Sequence, residues 1–290
     1  MTVSVLVPSS IAREAEDKRE ATRKLGYVAR AATIYRADRL IVFPDRDGER
    51  RFDGGFVSTV LRYAATPPYL RKEAWGKRDE LEYVGVLPPL RATSQAGSGS
   101  NGPGSRRQGI VTEVGPDRRV RVNCGLQHPI SLAVPPDREV REGERVTIRI
   151  SSRRPVRAKL VDDPLPGLAV EWTDLSAALG REDAGVRIAA SRHGEPLTVG
   201  GLETLVGRVE RDGMTVAFGA PGRGLPAILG IEESAVPSST IDDWAGRDDV
   251  EPTADPGFDL WLNTVPNQGS ETVRTEEAMF ATLSALSLRT

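Results

Sequence analysis

Hydrophobic positions along the chain change their period several times, and each change marks an element. Val3 to Val7 is a short continuous apolar run that reads as a buried strand. From Ile11 to Ala37 the residues Ala21, Leu25, Val28, Ala32 and Tyr35 keep one apolar stripe along a charged helix. Arg39 to Phe43 returns as a strand, and Gly55 to Ala65 forms a second helix that Pro67-Pro68 ends. Then the pattern shortens. Gly109 to Val114, Val120 to Asn123, Ile130 to Val134 and Arg145 to Ile150 predict short strands, separated by the turns Gly115-Pro116-Asp117 and Pro135-Pro136-Asp137. The longer alternation resumes with a strand at Gly185 to Ala190, a helix at Leu202 to Glu210, and strands at Met214 to Phe218 and Asp259 to Leu262. A last helix runs from Thr272 to Leu286 and buries Met279, Leu283 and Leu286. Strand–helix alternation of this kind predicts an α/β fold: a mostly parallel sheet with helices on both faces, interrupted by a small β module.

Two of the predicted strands end in unusual loops. Met214 to Phe218 runs into Gly219-Ala220-Pro221-Gly222-Arg223-Gly224-Leu225, where missing Cβ atoms let a ligand approach the main chain. The spacing is neither a phosphate loop nor GxGxxG, so taken alone a plain glycine turn is the better account. Trp261-Leu262 leads into Asn263-Thr264-Val265-Pro266-Asn267-Gln268-Gly269-Ser270, a polar turn placed before a helix that Ser270 is expected to cap and whose first turn carries Glu271. An ordinary capped helix is the plainer account of that stretch.

Net charge sharpens the division into modules. Residues 1–105 hold 17 Lys/Arg and 13 Asp/Glu, residues 106–160 hold 13 and 6, and residues 161–290 hold 9 and 22, for a net charge of −2. The basic excess at 106–160 points to a polyanion, with a solvated basic face as the alternative. The expected organisation is a discontinuous α/β domain at 1–92 and 161–290, a flexible Gly/Ser tract at 93–105, and a basic OB-like barrel at 106–160. That barrel stretch holds no Phe, Tyr or Trp. Nucleic-acid contact there would rest on arginines such as Arg118, Arg119, Arg121, Arg153 and Arg154 meeting phosphates, with Arg71 and Lys72 beside Tyr69 as a second basic surface.

Composition excludes other classes. No apolar stretch approaches membrane-spanning length, and the Val3 to Val7 run lacks the flank of a signal peptide, so a cytoplasmic protein is expected. The single Cys124 excludes an internal disulfide and reads as a small buried residue, not a nucleophile. His128 and His193 lie too far apart in sequence to form a metal motif, and no metal is expected. His193 at a strand end is a minor site candidate.

Taken together, these segments resemble the SPOUT superfamily of RNA methyltransferases. The similarity is closest to the archaeal and eukaryotic branch related to the human centromere-associated SPOUT-domain methyltransferase. Phe218 to Leu225, Leu262 to Ser270 and Thr272-Val273-Arg274-Thr275-Glu276-Glu277-Ala278 carry it, and Val5 to Ser10, Tyr69 to Lys72 and Val122 to Leu126 agree in order. One departure is the segment after Leu87-Pro88-Pro89-Leu90. The branch continues there with a short histidine-containing stretch, whereas this chain has Arg91-Ala92-Thr93-Ser94-Gln95.

The resemblance implies a SPOUT-type trefoil knot, S-adenosylmethionine as cofactor, N3 methylation of a uridine in ribosomal RNA, and a homodimer formed through the knot. By the same resemblance the cofactor would be held by Gly219, Ala220, Pro221, Gly222 and Gly224 of the first loop. The second segment would contribute Leu262, Asn263, Thr264, Val265, Pro266, Gln268, Gly269, Ser270 and Thr272. Asn263 and Arg274 would orient the base, and Glu276 or Glu277 would accept a proton or give electrostatic support, although carboxylates early in a helix are also accounted for by the dipole. An RNA-binding or ribosome-assembly protein that keeps the knot and lacks catalysis fits the same sequence.

Overall fold

The computed structural model describes residues 2–90, 104–153, 156–237, 240–245 and 257–288. Most of the Gly/Ser tract expected at 93–105 therefore lies outside the described residues, as does the segment Arg91 to Gln95. The chain divides into two compact units, one built from 1–62, 80–89 and 170–290, the other from 63–79 and 90–169.

The first unit is built on a six-stranded sheet. Its elements are β1 (Val3–Pro8), α1 (Lys18–Ile34), β2 (Arg39–Phe43), α2 (Gly54–Ala65), β8 (Ala169–Trp172), α4 (Leu175–Leu179), β9 (Val186–Pro196), α5 (Val199–Asp212), β10 (Met214–Phe218), α6 (Leu225–Leu229), α7 (Ile241–Ala245), β11 (Leu260–Asn263) and α8 (Thr275–Leu286). The strand order is β11-β9-β10-β1-β2-β8, and the pairings from β11 through β2 are parallel. Every residue of β1 and β10 is buried, which requires cover on both faces of the sheet. Leu6, Ile41, Ala189 and Ala217 pack under α4 and α6. α1, α5 and α8 pack together and contact β2, β9 and β10, covering the other face.

The starts of the first and last helices depart from the sequence pattern. The first long helix begins at Lys18, not Ile11, because Asp17 is its N-cap: the Asp17 carboxylate accepts Glu20 N–H at 2.7 Å, and Glu20 accepts Glu16 N–H at 2.9 Å. Residues 8–15 instead form successive turns, with Ile11 N–H on Pro8 O and Arg13 N–H on Ser10 O. The last helix begins at Thr275, so Ser270 is not its cap and Glu271 is not in its first turn. Ser270 Oγ donates to Thr272 O, and Gln268 Nε2 donates to the carbonyls of Ser270 and Glu271, which holds 268–272 in a turn. Arg274 takes the N-cap position, and its N–H donates to Glu277 at 2.9 Å.

β9 is also longer than the pattern predicts. β11 pairs first with Ile188 and Ala189 and then with Glu195 and Pro196, so residues 190–194 have no partner in β11, although Ala190 still pairs with Phe218 of β10. Gly194 makes this possible: a Cβ there would stand within 2.7 Å of the Trp261 and Leu262 main chain.

The second unit is antiparallel. It contains α3 (Arg71–Ala74), β3 (Arg106–Val114), β4 (Arg119–Asn123), β5 (Ile130–Ala133), β6 (Arg145–Arg153) and β7 (Val156–Val161), with strand order β5-β4-β3-β6-β7. The edge strands β5 and β7 contact each other, so the sheet is nearly closed. Val111, Val120, Val122, Leu132, Val146, Ile148 and Leu160 fill its core together with Cys124, whose thiol burial pushes its pKa up. β7 and β8 have no counterpart in the sequence pattern. Residues 63–79 bring aromatic rings that the barrel stretch itself lacks. Tyr69 donates its OH to Gln108 O at 3.0 Å and lies over Gly125, and Tyr63 packs edge-on to Trp75. Among the described residues, no helix is long and apolar enough to cross a membrane.

Candidate functional site

Parallel strands ending side by side leave a crevice beyond their carboxyl ends, and ligands of open α/β sheets bind there. In the first unit the ends of β9, β10 and β11 enclose a cavity of about 240 Å³. That lies just below the about 300–1,000 Å³ of most small-molecule sites, as suits a groove that opens to solvent.

The loop after β10 folds tightly. Ala220 and Arg223 exchange main-chain hydrogen bonds of 2.9 and 3.0 Å, and Gly222 takes φ of +64°. Gly219 lies so close to Gly224 that a Cβ would meet its backbone within 2.9 Å. Across the cavity, Asn263 at the end of β11 ties two walls together. Its Nδ2 donates to Arg192 O at 3.1 Å, and its Oδ1 accepts Val265 N–H at 3.0 Å. Thr275, the first residue of α8, donates its hydroxyl to Gly219 O at 2.8 Å and thereby fixes the C-terminal segment against the glycine loop.

Of the expected cofactor residues, Gly219, Ala220, Pro221, Gly222, Gly224, Asn263, Thr264, Val265, Gln268 and Thr272 line this cavity, whereas Leu262, Pro266, Gly269 and Ser270 do not. Leu262 is fully buried in the sheet beneath it. Of the four residues expected to act on the base, Asn263 alone lines it. Arg274 and Glu277 are exposed at the start of α8. Glu276 is buried and turned toward Lys24 of α1, 3.8 Å away. Burial raises the Glu276 pKa, against the pull of the Lys24 charge. Lys24 is bonded to Glu14 as well.

The residues of β9 without a partner in β11 supply a wall that sequence reasoning largely missed. Ala190, Ser191, Arg192 and His193 line the cavity, together with Glu233 and Glu271. His193 Nε2 lies 2.9 Å from Arg192 Nε and 3.2 Å from Glu233. Its Nε2 accepts the Arg192 N–H, with the Glu233 carboxylate within ion-pair distance of the same nitrogen. The available signal was Gly194, a glycine in the polar stretch Ser191 to Pro196 that follows the apolar run of the strand.

The expected RNA contacts fare differently. Arg71 donates to the carbonyls of Thr66 and Ala64 and stacks on Tyr63, and Lys72 is exposed. Arg118 donates to three carbonyls of the Pro135 to Arg138 turn, Arg119 to Ser131, and Arg121 faces Glu113 at 3.8 Å. Arg153 ends β6, and Arg154 lies outside the described residues.

Known proteins place this arrangement in a family. A family model described as "putative RNA methyltransferase" matches residues 2–286. The chain is 68% identical over 288 residues to an uncharacterized protein of Halobacterium salinarum, covering 99% of each. It is 28% identical over 312 residues to the human 28S rRNA (uridine-N(3))-methyltransferase, covering 98% of this chain and 77% of that one. A cavity at the strand ends of a parallel sheet, in a chain matched over nearly its whole length, gives one conclusion: the protein belongs to the SPOUT-related family of RNA methyltransferases.

Proposed function

We propose that this protein is an S-adenosylmethionine-dependent RNA methyltransferase that acts on N3 of a uridine in ribosomal RNA in the cytoplasm. The observation that carries the reading is the convergence of residues 219–224 and 263–273 on one cavity at the strand ends. The residues present suit the cofactor. Phe218, Pro221, Pro226, Val265 and Val273 offer apolar walls for an adenine, the bare backbones of Gly219 and Gly224 admit close contact, and Glu233 and Glu271 present carboxylates to a cation. S-adenosylmethionine supplies a methyl group already activated by its sulfonium.

What remains for the chain is to align the acceptor and to remove the N3 proton. Asn263 orders both cavity walls, so its part is positioning. Arg274, exposed and always charged, suits a phosphate or base oxygen. Glu277 is fixed at the helix start and Glu276 faces Lys24, so proton acceptance passes to His193 with Glu233 beside it. The trefoil knot, supported by the tie between Thr275 and the Gly219 loop, belongs to the same reading, and so does a homodimer through the knot. So does RNA binding by an OB-like module at 106–160, supported by its nearly closed sheet and its charge.

Mass spectrometry of ribosomal RNA nucleosides from cells lacking the gene is expected to show loss of 3-methyluridine. An unchanged nucleoside profile would refute the reading. A second reading, an assembly protein without catalysis, is favoured by the placement of Arg274, Glu276 and Glu277 outside the cavity lining. It predicts cofactor binding in the calorimeter without methyl transfer to RNA.

A further inference from the structure

Small barrels that grip single-stranded nucleic acid combine a basic surface with aromatic rings on which bases stack. The antiparallel unit has the charge, with 13 Lys/Arg against 6 Asp/Glu at 106–160, but that stretch holds no aromatic residue. Its rings come from residues 63–79, which belong to the same unit. Tyr63 and Trp75 are half-buried against each other, with the guanidinium groups of Arg71 and Arg78 over their rings at 4.8 and 5.4 Å. Tyr69 is placed differently, because it seats on β3 and on the residues after β4 and stays open.

The setting of Tyr69 is built from both sides. Its hydroxyl donates to Gln108 O of β3 at 3.0 Å, so the polar end of the ring is satisfied. One face lies on Gly125, where φ is +74° and a Cβ would meet ring atoms within 2.9 Å. Leu70, the next residue, is fully buried and anchors the segment. Asn123 completes the frame: its Oδ1 accepts Gly125 N–H at 3.0 Å, and its Nδ2 donates to both Glu73 carboxylate oxygens at 2.8 and 2.9 Å. Yet the Tyr69 ring is 37% exposed. With the hydroxyl bonded and one face on glycine, the exposed area belongs to the opposite face. A ring held this firmly loses little freedom when a flat group stacks on it.

Cations stand around the ring. The Arg107 guanidinium lies 5.9 Å from its centroid and donates to Cys124 O at 3.0 Å, the peptide before Gly125, which draws it to the Gly125 side. Arg145 donates to the Gln108 side chain, and Lys72 is exposed three residues along the chain. Glu73, the carboxylate of this frame, is taken up by the Asn123 amide. An open apolar face beside guanidinium groups suits a ligand that is flat and apolar on one side and anionic on the other. We propose that Tyr69 is a nucleobase-stacking platform of the antiparallel unit, on which a base of single-stranded RNA lies while Arg107 meets the adjoining phosphate. The proposal rests on the reading of the barrel as an RNA-binding module and supplies the aromatic contact which that module lacks in its own stretch.

The full-length protein is titrated with a fluorescent single-stranded oligouridylate, and an oligouridylate carrying 5-iodouridine is photo-crosslinked to it and mapped by mass spectrometry. The crosslink is expected on Tyr69. Tyr69→Leu, which keeps an apolar side chain without a π face, is expected to weaken binding about tenfold. The dependence of log affinity on log salt stays unchanged, because no phosphate contact is lost. Tyr69→Phe loses the same hydrogen bond to Gln108 and keeps the ring, so it should bind as the wild type does.

Wild-type affinity in Tyr69→Leu, or a crosslink only elsewhere, would overturn the site and leave the open ring to a protein partner. Equal losses in Tyr69→Leu and Tyr69→Phe would also overturn it, since the hydroxyl and not the ring would then matter. A flattened salt slope in Tyr69→Leu would assign the loss to phosphate contacts and refute stacking. If the wild type does not bind oligouridylate at all, the RNA-binding reading of the barrel falls and this site with it. If it binds and crosslinks at Tyr69 but does not bind S-adenosylmethionine in a calorimeter, the methyltransferase reading falls and the stacking site stands.

Discussion

Both units hold arginines bonded to acceptors of their own unit and arginines without such a partner among the described residues. In the antiparallel unit Arg118, Arg119, Arg121 and Arg138 are bonded to carbonyls, hydroxyls or carboxylates of their own unit. In the parallel-sheet unit Arg13 and Arg50 have no such partner among the described residues, although much of that unit is acidic. A long arginine beside a hairpin turn satisfies nearby carbonyls.

The largest expected effect tests whether the parallel-sheet site depends on the β9 bulge. Gly194→Ala forces a Cβ into the Trp261 and Leu262 main chain, and should cost about 3 kcal/mol in urea denaturation and abolish cofactor binding. A stable variant with normal cofactor affinity would detach the site from the bulge.

Next comes the contrast within the antiparallel unit. Arg118→Ala should lower stability by about 1 kcal/mol through loss of the Pro135 to Arg138 turn, with little change in the salt dependence of oligouridylate binding. Arg157→Ala with Lys159→Ala, two exposed cations of β7, should reduce RNA affinity several-fold and flatten the salt slope without loss of stability. Exchange of these two outcomes would erase the distinction between committed and available cations.

A smaller effect concerns the α1–α8 contact under the site. The Glu276 pKa is raised in the folded state, so its contribution to stability is present in acid and is lost as pH rises through that raised value. Glu276→Gln stays neutral throughout. Its melting temperature should match wild type in acid and exceed it by a few degrees near neutral pH. A variant less stable near neutral pH would show that the ion pair with Lys24 outweighs burial. Smallest of all, Cys124, buried with a raised pKa, should resist alkylation in the native protein and react on unfolding, as measured by mass spectrometry.

Much of the sheet was legible because continuous apolar runs such as Val3 to Val7 and Met214 to Phe218 are buried on both faces, and such runs leave little doubt about their environment. The start of α1 was less so. An apolar stripe suggests a helix face but does not mark its end, and Asp17 with Glu20 carried the boundary that Ile11 did not. The glycine loop and the Asn263 turn were legible as loops, and ten of their residues meet at one cavity. His193 and Glu233 were not read as a pair, since β9 has to buckle at Gly194 before the two can approach.

The sequence by itself determined the order of the elements, the alternation that makes the sheet parallel, the basic insertion and the two loops that carry the family resemblance. These depend on periodicity and residue type, which are local. Only the tertiary structure decided which charges are available. Asp45 and Arg223 are 178 positions apart and meet at 3.1 Å because β1 separates β2 from β10 in the sheet. Whether an arginine is paired or free depends on what the fold brings within reach, and no count along the chain contains that distance.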